Sequence, residues 1–318
     1  QIISLNWKEN FIMQKKVDNI VTEIKNSKIV DDIKKVTLLG KGGFSDCYLI
    51  NTKNKPYVLK FRRDKETKRL EREFKLLSIK KIVENSLAPI IYKFDKSCKN
   101  FRYPYLLEEY VQGENPKKTK ITSGFIKTMA EEYKELHSVT STKTEKLDMK
   151  RIDSASYWSK EQHTEFKKQK TPLEKKVMDD LDLFYSKFLK ICKENDAILK
   201  RKLYNFVQCD PSKENIFIMK DGNIKLIDWD FAGYHIFERD LILFSDIYNL
   251  NEGQERLFLK YYGIEPDAKF MKKFCILKLL LFAGDINWLL SQKDKNSKKI
   301  KNILKKCLII LKRIEIKQ

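Results

Sequence analysis

The stretch from Tyr204 to Asp228 constrains this 318-residue chain more than any other. A β-type run, Tyr204 to Gln208, leads into Cys209-Asp210-Pro211-Ser212-Lys213-Glu214-Asn215. Ile216-Phe217-Ile218-Met219 follows, then Asp221-Gly222-Asn223 and Ile224-Lys225-Leu226-Ile227-Asp228. Short apolar runs separated by a Gly-containing turn predict a hairpin. In a hairpin the start of the first strand lies beside the end of the second, so Asn215 and Asp228 should converge. An amide oxygen and a carboxylate at adjacent points suit Mg²⁺ together with phosphate oxygens. Asp210, just before, is placed to accept a hydroxyl proton as attack begins. Cys209 has no evident paired base and reads as a small packed residue rather than a nucleophile.

Upstream, Gly40-Lys41-Gly42-Gly43-Phe44-Ser45 is a glycine cluster that context must interpret. A dinucleotide-binding fingerprint needs a third glycine and a helix directly after it, and a Walker loop ends on Gly-Lys-Ser/Thr. This cluster has neither. Strand-type sequence flanks it instead, so Gly42, Gly43 and Ser45 sit at a hairpin whose backbone amides can lie over phosphates without Cβ obstruction. In Tyr57-Val58-Leu59-Lys60-Phe61, alternation puts Val58 and Lys60 on one strand face. Glu73 on the following helix is a candidate partner for that ammonium, which could then bridge phosphates. Taken alone, the two residues read more readily as a solvated strand lysine and a solvated helix glutamate.

The rest of the pattern sets the architecture. Residues 6–27 carry apolar side chains at helical spacing (Trp7, Phe11, Ile12, Val17, Ile20, Val21, Ile24), and 1–35 is expected to be a leading helical segment. Strand runs between Val36 and Arg62, a helical stripe over 64–83, and strand candidates at 90–94 and 105–111 make a small β-rich lobe over 36–113. Gln112 to Pro116 is a breaker-rich connection. Helical patterns then dominate 114–318, at 122–138, 174–200, 236–248, 266–291 and 296–313, while polar 139–172 reads as an insertion. The fold class expected is α+β with two lobes.

The net charge of +21 invites a polyanionic partner, but the lysines are spread over nearly every segment instead of forming one basic stripe. Nucleic-acid binding is therefore not expected. The six cysteines lack C-x-x-C spacing, which predicts reduced thiols and a cytoplasmic protein. The longest apolar stretch, near Phe274 to Gly284, contains Lys278 and is too short to span a bilayer, and no signal-peptide pattern opens the sequence.

Asp210-x-x-x-x-Asn215, followed by a hairpin ending on Ile227-Asp228-Trp229-Asp230 and preceded in order by the glycine cluster, Lys60 and Glu73, resembles the aminoglycoside phosphotransferase and choline kinase superfamily over about residues 36–290. That resemblance implies a protein-kinase-like fold, a small β-rich N-lobe over a larger helical C-lobe, with a nucleotide in the cleft. It implies ATP, or GTP, with Mg²⁺ as cofactors. It makes Asp210 the catalytic base, Asn215 and Asp228 the metal ligands, and Lys60 with Glu73 the nucleotide-positioning pair. Leu106 to Val111 resembles the hinge, where the Glu109 carbonyl and the Val111 amide would bind adenine. Asp230 would support the metal ligands, Asp240 would brace the catalytic loop, and His137 would be structural. One departure stands out: relatives carry His-Gly before the catalytic aspartate, where this chain has Gln208-Cys209.

No Asp-Phe-Gly and no Ala-Pro-Glu follows, so little platform for a peptide is expected and a small acceptor fits better. Ile227 to Tyr234 resembles choline and ethanolamine kinases, and Phe237 to Leu241 resembles spectinomycin-type kinases. Both groups take cationic acceptors, for which Asp246, Asp285 and Trp288 are candidates, with Tyr248, Glu252 and Glu255 nearby in sequence; core packing explains Trp288 equally well. The competing class is a nucleic-acid-binding or scaffolding pseudokinase, which would use the +21 charge and against which the full set of Lys, Glu, Asp, Asn and Asp positions argues.

Overall fold

A computed structural model describes residues 19–42, 45–64, 67–84, 87–116, 121–143, 153–169, 173–292 and 297–316. The chain forms two compact units, one from residues 1–120 with 212–232 and the other from 121–211 with 233–318. Segment 212–232 thus joins the β-rich unit, although its place in the sequence suggests the helical lobe.

In the first unit, helix α1 (19–26) precedes strands β1 (Ile33–Lys41), β2 (Ser45–Thr52) and β3 (Pro56–Arg62), helices α2 (Thr67–Leu77) and α3 (Lys80–Glu84), and strands β4 (Ile91–Asp95) and β5 (Tyr105–Glu109). The strands form one sheet in the order β1-β2-β3-β5-β4, antiparallel throughout. Side chains alternate between faces along a strand. Tyr48, Ile50, Leu59, Phe61, Tyr105 and Leu107 therefore gather on one face into an apolar core with Ile24 of α1, and Ile20 and Val21 pack against it. Trp7, Phe11, Ile12 and Val17 of the expected leading helix lie outside the described residues.

The second unit opens with α4 (Ser123–His137), β6 (Thr140–Ser141), α5 (Ala155–Lys168), α6 (Lys175–Glu194) and β7 (Tyr204–Val207). Helix α5 lies within the segment read as an insertion. Its Ser154 cap accepts from Tyr157 N–H at 3.0 Å, and Ala155, Trp158, Ser159 and Phe166 form its buried face. The chain next contributes β8 (Ile216–Ile218) and β9 (Ile224–Leu226) to the first unit. It re-enters the second with β10 (Gly233–His235), α7 (Glu238–Ile247), α8 (Glu252–Tyr262), α9 (Ala268–Ser291) and α10 (Ser297–Ile316). β10, β7 and β6 form a small antiparallel sheet in that order.

Helix α9 is longer than the apolar stretch legible in the sequence, and by length and composition alone it could cross a membrane. Its apolar window is 61% buried inside the protein, against α5, α7 and α10. A helix apolar nearly all round is what a core position requires.

Candidate active site

Two clusters gather several of the residues singled out by sequence. The first, within the β-rich unit, centres on Lys60, which is 4% exposed. Its Nζ lies 3.0 Å from both Glu73 carboxylate oxygens, 3.0 Å from Asp228 Oδ1 and 3.2 Å from Asp230 Oδ1. Burial alone would lower the Lys60 pKa, but the charges of Glu73, Asp228 and Asp230 outweigh it and hold the ammonium well above its ordinary value. Lys60 is thus a permanent cation. Glu73, equally buried, also accepts from the Trp229 N–H at 3.3 Å, which ties α2 to the segment after β9.

Arg62 was not evident from sequence. It lies two positions after Lys60 on β3, is fully buried, and donates to Asp230 Oδ2 at 2.6 Å and to both oxygens of Asp64 at 2.9 and 3.0 Å. Burial works against the Asp230 carboxylate, but Lys60, a hydrogen bond with Glu73, and Arg62 outweigh it and bring it down to about 2. The i, i+2 spacing of two cations on a strand was the available signal, since both must face the same side.

The hairpin forms as the turn chemistry dictates. Ile216 pairs Leu226, Gly222 takes φ +86°, and Asp221 Oδ1 accepts from Asn223 N–H at 3.0 Å. Ile227 N–H donates to the Asn215 carbonyl at 2.8 Å, so the ladder runs one pair past the strands and Asn215 and Asp228 leave it at neighbouring positions. Trp229 anchors this end, its indole donating to the Leu226 carbonyl at 2.8 Å. Glu73, Asp228 and Asp230 bring carboxylate oxygens within 4.8 Å of one another, and the Asp228 side chain is 47% exposed. Glu73 and Asp230 are already paired with Lys60 and Arg62, so Asp228 is the member of this set open to a divalent cation. At the glycine turn, Gly42 N–H donates to the Ser45 carbonyl at 2.8 Å, while the buried Ser45 hydroxyl has no partner among the described residues, as a phosphate-contacting hydroxyl would be left. Gly43 lies outside the described residues. Glu109 pairs through its carboxylate with Lys225 at 2.6 Å, and the buried Val111 N–H finds no backbone acceptor among the described residues.

The second cluster lies within the helical unit. Asp240, wholly buried on α7, accepts from Gln208 N–H at 2.8 Å and Cys209 N–H at 2.7 Å, and its Oδ2 lies 3.1 Å from His137 Nε2. It fixes the backbone immediately before Asp210. The Gln208 amide takes hold of Asp210 itself, with Asp210 N–H to Oε1 at 3.0 Å and Nε2 to the Asp210 carbonyl at 2.8 Å. Cys209 adopts φ +67°, the left-handed region that favours glycine, which explains why a glycine suits this position in the resembling family.

The acceptor candidates divide. Asp246 is paired with Lys306, Glu255 with Lys278, and Glu252 lies 3.6 Å from Arg313. Asp285 has no ion-pair or hydrogen-bond partner for its carboxylate among the described residues, and Trp288 is 62% exposed rather than packed in the core. Tyr248 is buried.

A β-sheet unit carrying a buried Lys–Glu pair beside an Asn/Asp hairpin, together with a helical unit carrying a braced aspartate, defines a protein-kinase-like phosphotransferase fold. The chain belongs to the phosphotransferase enzyme family, whose model matches residues 35–272. Among solved structures, a choline kinase from Streptococcus pneumoniae shares 17% identity over 95% of this chain and 99% of that one, with a TM-score of 0.64. A spectinomycin phosphotransferase in complex with ADP and spectinomycin shares 14% over 94% and 98%, TM-score 0.57. Plasmodium vivax ethanolamine kinase shares 17% over 88% and 83%, TM-score 0.60. At these identities the likeness establishes the fold. No curated protein matches the sequence.

Proposed function

We propose that this phosphotransferase moves the γ-phosphoryl group of ATP to a hydroxyl of a small aminated acceptor, an amino alcohol or an aminoglycoside- or aminocyclitol-type antibiotic. The observation that carries the nucleotide half is the Lys60–Glu73 pair beside Asp228, a fixed cation next to hard-oxygen ligands. Lys60 would contact the phosphates, with Ser45 and the Gly42 turn above them. Glu109 and Val111 would bind the base through their backbone. Asn215 and Asp228, with Asp230 behind them, would hold Mg²⁺, which when bound offsets charge on the transferring phosphoryl group. Asp210 would accept the proton as the acceptor oxygen bonds to phosphorus and the bond to the leaving ADP oxygen breaks.

The acceptor half is supported by Asp285 and Trp288, one helical turn apart and exposed on α9, a carboxylate and an aromatic face suited to an ammonium group. Asp246 remains a candidate contact only if an acceptor cation displaces Lys306.

The test is a thermal-shift series with ATP, with and without Mg²⁺, followed by an ATP-consumption screen across amino alcohols, aminoglycosides and aminocyclitols. ATP should raise the melting temperature more with Mg²⁺ than with EDTA. Absence of binding by either ATP or GTP would overturn the nucleotide reading. Consumption of ATP with neutral sugars alone would overturn the acceptor reading.

A further inference from the structure

The Asp240 carboxylate faces the Gln208 N–H, the Cys209 N–H and His137 Nε2. An ionised carboxylate only accepts hydrogen bonds, so the 3.1 Å contact to His137 places a proton on Nε2. An uncharged imidazole carries one ring proton, which leaves Nδ1 as an acceptor. Nδ1 lies 3.0 Å from the Tyr262 hydroxyl. The hydroxyl is therefore the donor of that pair.

Tyr262 is the last residue of α8, which Gly263 closes at φ +98°. Its ring stacks on Phe237 with centroids 5.4 Å apart, and the His137 ring stacks on Tyr133 at 5.4 Å. Stacking fixes the plane of a ring but not which nitrogen carries the proton. That choice matters here, because His137 is 2% exposed and Asp240 is wholly buried. With the proton on Nδ1 instead, a bare Nε2 would face the carboxylate, acceptor against acceptor, where water cannot relieve the mismatch. The Gln208 and Cys209 amides share that carboxylate, so the disturbance would reach the backbone just before Asp210.

We propose that Tyr262 is a positioning residue for phosphoryl transfer: its hydroxyl donates to His137 Nδ1, keeps the ring proton on Nε2 toward Asp240, and so holds the loop that carries Asp210. The inference rests on reading Asp210 as the proton acceptor. Tyr262 acts through His137 and Asp240 rather than on the reacting atoms. A hydrogen bond to one ring nitrogen of a histidine sets the protonation of the other. A phenylalanine at this position would keep the stacking and lose that control.

The experiment compares the intact chain with Tyr262→Phe, His137→Asn and the double variant. Steady-state kinetics use ATP with ethanolamine or spectinomycin, whichever is turned over, and nitrogen NMR of the histidine rings reads the tautomer. The chain has three histidines, and the signal lost in His137→Asn assigns the ring. The intact chain should show His137 with its proton on Nε2, and Tyr262→Phe should populate the form protonated on Nδ1. Turnover of Tyr262→Phe should fall by about 3- to 10-fold, the worth of one buried hydrogen bond, with both KM values fixed. In the His137→Asn background the same substitution should leave kcat unchanged, because the hydroxyl has lost the ring through which it acts. An effect on kcat of equal size in both backgrounds, an unchanged kcat and tautomer in Tyr262→Phe, or an intact ring protonated on Nδ1 or on both nitrogens overturns the inference. Should Tyr262→Phe not fold or neither acceptor react, the intact spectrum decides: a proton on Nε2 alone supports the inference and either other form overturns it. Near-normal turnover of Asp210→Asn defeats the underlying reading instead.

Discussion

The side chain of Gln208 holds the backbone of Asp210 from both sides, accepting from its N–H at 3.0 Å and donating to its carbonyl at 2.8 Å. With Asp240 fixing the two preceding amides, the aspartate sits on a short segment whose hydrogen-bonding groups are largely satisfied by two buried side chains. A primary amide carries both donor and acceptor groups, and this arrangement uses one of each.

Replacing Gln208 with Leu keeps the volume roughly constant and removes both bonds. Turnover should fall by about 10- to 10²-fold through misplacement of Asp210, with ATP affinity preserved. Gln208→His, which restores one donor or acceptor, should recover part of the loss. Steady-state kcat and KM for the three proteins check this; equal kcat in all of them would show that the clasp does not position the aspartate.

Asp210→Asn removes the proton acceptor and leaves the shape. Turnover should drop by about 10²- to 10⁴-fold. Calorimetric ATP binding should be nearly unchanged, because the lost contact serves the acceptor hydroxyl. Near-normal turnover would take Asp210 out of the mechanism.

Asp230 makes a pH prediction whose sign follows from its environment. Its carboxyl is held down at about 2 in the folded protein, below its ordinary value, with burial opposing and Lys60, Glu73 and Arg62 prevailing. The stability it contributes is therefore present above about pH 4 and is lost as the pH falls toward about 2. The gain is at most about 2 to 3 kcal/mol. Urea unfolding followed from about pH 5 downward should show a steeper loss in the unmodified chain than in Asp230→Asn. Parallel curves would mean that Asp230 titrates alike in both states.

Much of this was legible because the chemistry lies on regular elements. Alternation placed Lys60 inward, and the turn Asp221-Gly222-Asn223 fixed the hairpin on which Asn215 and Asp228 sit. Helix α5 was hidden because its stripe of Ala155, Trp158, Ser159 and Phe166 is small and polar in part, so its amphipathic signal is weak; Ser154, a strong cap, was the overlooked cue. Helix α8 was missed as well, though Asn251 and Gln254 form a reciprocal cap at its start and Gly263 closes it at φ +98°. Arg62 escaped notice for a different reason. Its partner Asp230 is distant in sequence, and a charged residue on a strand reads as solvated until its neighbours are known.

The last prediction concerns the acceptor. Asp246, Glu252 and Glu255 each face a basic side chain, so a cationic acceptor must displace a lysine or arginine to use them. Asp285 makes no close ion pair among the described residues, although the charges of Arg239 and Lys306 act on it, and Trp288 is 62% exposed on the same helix. Removing an exposed indole should change stability by no more than about 0.5 kcal/mol, so a kinetic effect of Trp288→Ala cannot be ascribed to unfolding. If the pair receives the ammonium group, Trp288→Ala and Asp285→Asn should each raise acceptor KM by about 3- to 30-fold, the range of a cation–π contact or an exposed charge pair, while ATP KM stays fixed. The double variant should lose less than the product of the two single effects, since both act on one charge. Expression in a sensitive bacterium separates the acceptor types: raised resistance favours the antibiotic, and unchanged resistance with activity on amino alcohols favours the metabolite. Acceptor KM values unmoved by either substitution would place acceptor recognition elsewhere on the helical unit.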